Sequence, residues 1–308
     1  MSNAVTIETS SSVLVQSLQE DLADLLAAGQ NANTARAYRS AVRGFVDWCE
    51  PFGLCPLPAS VHTICLYIAA EVKAGRKPST ITQRMAAIRK LHETADLESP
   101  TGSPKVREAM RAVRKDRGTR VEKKAPATVE RIFAMLAHVD RSTLGGKRDA
   151  ALLLFGFASA MRRSELVALT VEDLGELTPN GLVVFIRESK TDQTGEGMLR
   201  AVELGREETC PVRALSAWLN AAGITSGPVF RAIDRNGIVR PARVKKHDRL
   251  TGEPSQWEAL SSQMVARIVK KYAAKAGLKG GDFAGHSLRS GVATSSADRG
   301  ASMQAIQK

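Results

Sequence analysis

From Thr34 to Cys49 the apolar residues Tyr38, Val42, Phe45, Val46 and Cys49 fall at i, i+4, i+7, i+8 and i+11, which gathers them on one face of an α-helix. A strand, with its period of two, would scatter them over both faces. Asn33 or Thr34 offers a side-chain oxygen to cap the first turn. Arg36, Arg39 and Arg43 form a basic stripe apart from the apolar face, so this helix can pack and present charge at once. The same period predicts a helix from Leu14 to about Ala28, ended by Gly29, a helix over Ser60 to Ala74, and another opening at Ser79 with Ile81, Met85, Ile88 and Leu91 as its core face. Residues 13–118 are therefore expected to be an all-helical domain, after a disordered Ser- and Thr-rich segment at 1–12.

Composition matters next through its charge, because 44 Lys and Arg against 32 Asp and Glu leave a formal net charge of +12. Residues 1–124 carry 18 basic and 13 acidic side chains, and residues 125–308 carry 26 and 19, so both halves are basic. Such an excess attracts nucleic acid and anionic membrane alike. The sequence argues against the membrane: the longest apolar run, Ala150 to Ala160, is interrupted by Gly156 and Ser159 and falls short of the roughly 18 residues a spanning helix needs. The N-terminus lacks the basic and apolar regions of a secretory signal, which predicts a cytoplasmic protein. Cys49, Cys55, Cys65 and Cys210 show neither metal-ligand spacing nor a disulfide framework and are read as reduced thiols. From Lys105 to Lys124 nine basic residues face three acidic ones, and this run reads as an interdomain strap that tracks phosphates, the linker proper being placed at 119–127.

Residues 128–308 are predicted to be mixed α and β. Helical patterns at Thr128 to Val139 and Lys147 to Ala160 precede two strands, Leu182 to Glu188 and Met198 to Leu204, joined by a long polar tip. Helices resume at Pro211 to Ala222, Ser261 to Ala276 and about Ser287 to Asp298, with a last one starting near Ser302.

Three pieces of this half carry the polar groups of a phosphoryl-transfer site, and each alone has a mundane reading. In Arg162-Arg163-Ser164-Glu165-Leu166 an arginine ends an almost uncharged helix; Glu165, three residues on, can hold Arg162 and leave guanidinium donors for a phosphate, or simply form a structural ion pair with it. Lys190, on the hairpin tip, could serve chemistry or be a solvated turn residue. His286 and Arg289 stand at i and i+3 near a helix start, where backbone N–H groups favour an anion, although so short a pattern also arises by chance.

Taken in order, an Arg followed by Ser-Glu-Leu, a Lys on a β-hairpin and then His-x-x-Arg resemble the catalytic domain of the tyrosine-recombinase (phage integrase) family, its Cre-like branch in particular. The helical first half, with its Thr34-Ala35-Arg36-Ala37-Tyr38 helix, is similar to that family's SAM-like core-binding domain, so the resemblance covers nearly the whole chain. It implies a mainly α protein: a helical DNA-binding domain plus an α+β catalytic domain with a small antiparallel sheet. It also implies site-specific cutting and rejoining of duplex DNA through a 3′-phosphotyrosine, without metal or cofactor, in a tetrameric synapse of like chains. Arg162 and Arg289 would grip the scissile phosphate, Lys190 protonate the leaving 5′ oxygen, His286 assist proton transfer, and Glu165 support the first arginine. Arg36, Arg39, Arg43 and Arg84 are expected on DNA. Arg163 stands where the family often has an apolar residue and receives no role.

The family pattern continues with a His or Trp and then the attacking Tyr, whereas this sequence ends at Lys308 before either. Tyr38, Tyr67 and Tyr272 all come earlier, at positions that predict core packing. The expectation is thus a C-terminally truncated chain whose catalytic domain, 128–308, lacks its nucleophile; a DNA-binding or regulatory fragment without strand transfer is the competing reading. An RNA-binding role has no aromatic platform to rest on.

Overall fold

The computed structural model describes residues 32–118, 124–187, 196–240, 259–298 and 300. It divides into two compact units, with the boundary between Glu122 and Lys123. The expected helix at Leu14 to Ala28, the segment 1–12, residues 119–123 of the linker, Lys190 and the last helix near Ser302 lie outside the described residues.

The first unit is helical throughout its described part: α1 (Ala32–Cys49), α2 (Val61–Lys73), α3 (Pro78–Thr94) and α4 (Pro104–Arg117). The periodicity of α1 has its expected consequence, with Val42, Phe45 and Cys49 buried, Tyr38 and Val46 packed at the margin, and Arg36, Arg39 and Arg43 exposed. Phe45 and Trp48 set their rings against Tyr67 of α2, at centroid distances of 4.9 and 5.1 Å. Ser60 and Ser103 cap α2 and α4 by accepting from the N–H groups of Thr63 and Val106. His92, fully buried on α3, accepts from the Ala59 N–H through Nε2 and bonds the Ile88 carbonyl through Nδ1, tying the turn before α2 to α3.

The basic run is not a strap over most of its length. Residues 105–117 belong to α4, whose Val106, Met110 and Val113 are buried in the first unit's core. The charge of the run obscured an apolar residue every three or four positions. At the other end, Lys124 to Ala127, expected in the linker, are bound into the second unit: Ala125 N–H donates to Asp282 O at 2.7 Å and Ala127 N–H to Ser287 O at 2.8 Å.

The second unit is built around α6 (Leu144–Ala158), buried on every side from Ala150 to Gly156. Around it lie α5 (Val129–Leu136), the short α7 (Arg163–Ala168), α8 (Pro211–Ala222), α9 (Ser262–Lys275) and α10 (Ser287–Asp298). Asp149, only 2% exposed, anchors α6 to α9 by pairing with Arg148 and Lys271 and accepting from the Tyr272 hydroxyl. Trp218 of α8 is fully buried and donates its indole N–H to Val229 O at 2.8 Å.

The sheet has three antiparallel strands in the order β1 (Leu174–Thr178), β2 (Gly181–Ile186), β3 (Met198–Glu203), one more than the sequence pattern indicated. β1 escaped because none of its residues is buried and its pairing with β2 shifts register between Leu174 and Leu177, so no apolar alternation marks it. On β2 the alternation is clear: Leu182, Val184 and Ile186 face the core, while Val183 and Phe185 face out.

Candidate active site

The site is assembled where α6 ends. Its last turn gives way at Ala160, a non-glycine residue held at φ 51°, in the left-handed region. That kink reverses the chain, buries Met161 and leaves Arg162 at the cap of α7. Glu165 then does two things. One carboxylate oxygen accepts the Arg162 backbone N–H at 2.8 Å, closing the α7 N-terminus, and the other pairs with the Arg162 guanidinium at 2.7 Å. The side chains are 20% and 5% exposed, so Glu165 is shielded while Arg162 keeps an open edge.

Arg289 comes from α10, 129 positions after the carbonyl it binds: its guanidinium donates to Ala160 O at 3.1 Å. The kink thus aims its carbonyl at one arginine and delivers the other two residues later. Burial lowers the pKa of Arg289, the nearby Arg162 charge lowers it further, and Glu165 opposes them. Glu165 is bonded to Arg162 and also acts by its charge on Arg289. The close approach of α10 depends on small residues: a Cβ on Gly156 would come within 3.0 Å of Leu166 and Leu288 side-chain carbons, and one on Gly291 would strike Ala127 O at 2.0 Å.

His286 lies in the turn before α10 rather than within its first turn, exposed, with its carbonyl accepting from Ser290 N–H at 3.0 Å. The turn is held from both sides, because Ser287 Oγ accepts from Ala284 N–H at 2.9 Å and Ser287 O from Ala127. Arg163 lays its stem on Gly285: a Cβ there would meet Arg163 Cδ at 2.7 Å. Lys190 falls in the hairpin tip outside the described residues, but the base of that tip is anchored by Arg187, which pairs with Asp173 at 2.6 Å.

Arg84 is placed differently from the basic stripe. It is half-buried between α2 and α3, donating to Tyr67 Oη at 2.8 Å and pairing with Glu71 at 2.6 Å. Tyr67 and Tyr272 are buried, and Tyr38 packs at the edge of the smaller cluster in the first unit.

A further arginine, Arg200 on β3, went unremarked in the sequence. It is half-buried, its charge also depresses Arg289, and its Nε is shielded from water without a hydrogen-bond partner. The alternation of β3 was the available signal, for it sets Arg200 on the same face as the buried Val202. Among the described residues no three His, Cys, Asp or Glu side chains gather as a metal site would require, and no helix is long and apolar enough to cross a membrane. A groove of about 420 Å³ elsewhere in the second unit, lined in part by Phe133, Phe157 and Val292, includes none of the arginines of the site.

Two neighbouring guanidinium groups, one steadied by a shielded carboxylate, have the chemistry to receive an anion. Comparison with known proteins bears on the chain as a whole. Residues 126–308 match the phage integrase family and residues 18–98 its N-terminal SAM-like domain. An integrase/recombinase xerD homolog from Selenomonas ruminantium is 40% identical over 269 residues, covering 86% of this chain and 74% of that protein. The recombinase cre of Escherichia phage P1 is 22% identical over 99% of this chain and 87% of its own length. In fold, a lambda integrase crystallised as a tetramer bound to a Holliday junction superposes with a TM-score of 0.59 at 16% identity, covering all of this chain and 80% of that one. The chain belongs to the phage integrase family and is a site-specific recombinase of the tyrosine type.

Proposed function

We propose that Arg162, Arg289, His286 and Lys190 act on one DNA phosphate, with Glu165 holding Arg162 in place. The observation that supports this most is the bond from Arg289 to Ala160 O, which joins pieces 129 positions apart at one kink. Two fixed guanidinium forks are suited to the charge that grows on phosphorus as it becomes five-coordinate, since they stay protonated at any working pH. His286, exposed on a pinned turn, is available to bond a phosphate oxygen or move a proton, and Lys190 to protonate the leaving oxygen. None of Tyr38, Tyr67 and Tyr272 is the attacking group on this reading, because each is engaged in packing within its unit.

The partner is duplex DNA, supported by the net charge of +12 and by the exposed Arg36, Arg39 and Arg43. Further copies of the chain assemble on the site, as the tetramer of the lambda integrase relative suggests, and the protein works with the nucleoid in the cytoplasm. The test is a titration of duplex DNA across a salt series, scored with and without SDS. Expected is an affinity whose logarithm falls with log salt by roughly 0.9 per phosphate neutralised. A flat dependence sinks the binding mode. An SDS-stable adduct lost on Tyr38→Phe, Tyr67→Phe or Tyr272→Phe would falsify the assignment of those tyrosines.

A further inference from the structure

β3 brings a third cation to the site. Arg200 pairs across the sheet with Val184, fully buried, and shares its face with Val202, 1% exposed, so its stem starts on the core-facing side of β3 rather than in solvent. Natural strands seldom put a guanidinium there without a carboxylate to meet it. Arg200 Nε is shielded from water and has no hydrogen-bond partner, an arrangement that costs stability as it stands. The surrounding charge makes matters worse, since Arg200 and Arg162 both act on Arg289 as like charges and, among the described residues, Glu165 is the opposing charge acting there. Among the described residues this sets three cations against one carboxylate in a half-buried setting, an excess of positive charge suited to a phosphodiester whose negative charge grows in a five-coordinate state.

We propose that Arg200 is a third phosphate-binding residue of the site, its guanidinium donating to a non-bridging oxygen of the phosphate held by Arg162 and Arg289. The proposal rests on the reading of those two arginines as a phosphate site. A donor kept dry and unpaired in the free protein is satisfied when the anion arrives, so the strain of holding it is released on binding. The bland alternative, an arginine kept only for packing of its stem, makes the opposite prediction for stability.

Inorganic phosphate is the probe, with its affinity measured by calorimetric titration of the whole chain and the unfolding midpoint measured in phosphate-free buffer. Arg200→Met, similar in stem length and uncharged, is expected to leave the midpoint unchanged or raise it while weakening phosphate binding about tenfold. Arg200→Lys, which keeps the charge and loses the planar fork, is expected to fall between. A lowered midpoint with phosphate affinity intact makes Arg200 a packing residue and overturns the proposal. Should the Met variant not fold, the Lys variant decides, and unchanged phosphate affinity in it is equally fatal. Arg162→Ala with Arg289→Ala serves as the reference: if that protein binds phosphate like the parent, or the parent does not bind it, the phosphate site itself is wrong. If the reference loses binding and Arg200→Met does not, only the role of Arg200 fails.

Discussion

Each unit holds an arginine half-buried against a buried glutamate, and the two pairs are nearly superimposable as chemistry. Arg84 and Glu71 meet at 2.6 Å with side chains 22% and 10% exposed; Arg162 and Glu165 meet at 2.7 Å with 20% and 5%. Their surroundings separate them. Glu71 keeps one oxygen buried and unpartnered, and its arginine spends a second bond on Tyr67, so the first pair has acceptor capacity to spare. Glu165 has both oxygens bonded to Arg162, while Arg289 and Arg200 add charge that it does not neutralise. An ion pair of given length and burial is thus left with spare acceptor capacity in one unit and set among uncompensated cations in the other. The surrounding charge distinguishes the two, not the pair itself.

The contrast is broken most directly at the cationic site. In a longer chain that carries an attacking tyrosine, Arg162→Ala or Arg289→Ala is expected to slow strand exchange by about 10²–10³-fold, the usual loss when one preorganised donor to a developing charge is removed. DNA affinity should fall far less, since many other cations hold the backbone. Rates and affinities that drop together would mean the two arginines only bind.

In the first unit the same substitution should act on stability. Arg84→Ala leaves Glu71 buried and uncompensated, and a loss of up to about 3 kcal/mol in chemical denaturation is expected, the lower end for breaking a buried pair because Arg84 is partly exposed. Combining Arg84→Met with Glu71→Gln should recover most of it. An Arg84→Ala protein of normal stability but poor DNA binding would return Arg84 to the DNA-contacting set and dissolve the comparison.

A smaller effect is expected on the exposed stripe. Arg39→Ala and Arg43→Ala should each reduce the slope of log affinity against log salt by about 1 and shift unfolding by less than about 0.5 kcal/mol. Marked unfolding of the double variant would show that the two faces of α1 are reversed.

The smallest effect concerns the kink. Ala160→Gly relieves a left-handed alanine worth about 1–2 kcal/mol, offset by the roughly 0.5–1 kcal/mol that glycine loses in backbone freedom, for a net gain of about 0.5 kcal/mol. A drop in stability would indicate that the Ala160 methyl group packs usefully.

How much of this the sequence carried depended on whether a signal was local. The faces of α1 followed from one period, and Arg162 with Glu165 from a spacing of three. α4 is obscured because its six-to-two charge excess masks three apolar positions, and β1 because an exposed edge strand need not alternate. Arg84 was read by its charge, whereas its partners, Tyr67 and Glu71, lie 17 and 13 positions back on another helix. Arg200 could have been suspected from strand alternation alone, but its proximity to Arg289 is a property of the folded chain. The same holds for the meeting of Arg289 and Ala160, which periodicity cannot supply.

The lacing of residues 124–127 has a mechanical consequence. Residues 124–127 are bonded to Gly281, Asp282 and Ser287, with Ala127 pressed against Gly291. Those contacts flank His286 and Arg289 on the strip that carries both. A change that loosened residues 124–127 would therefore reach the strip carrying His286 and Arg289 directly, through its own hydrogen bonds, without first disturbing α6.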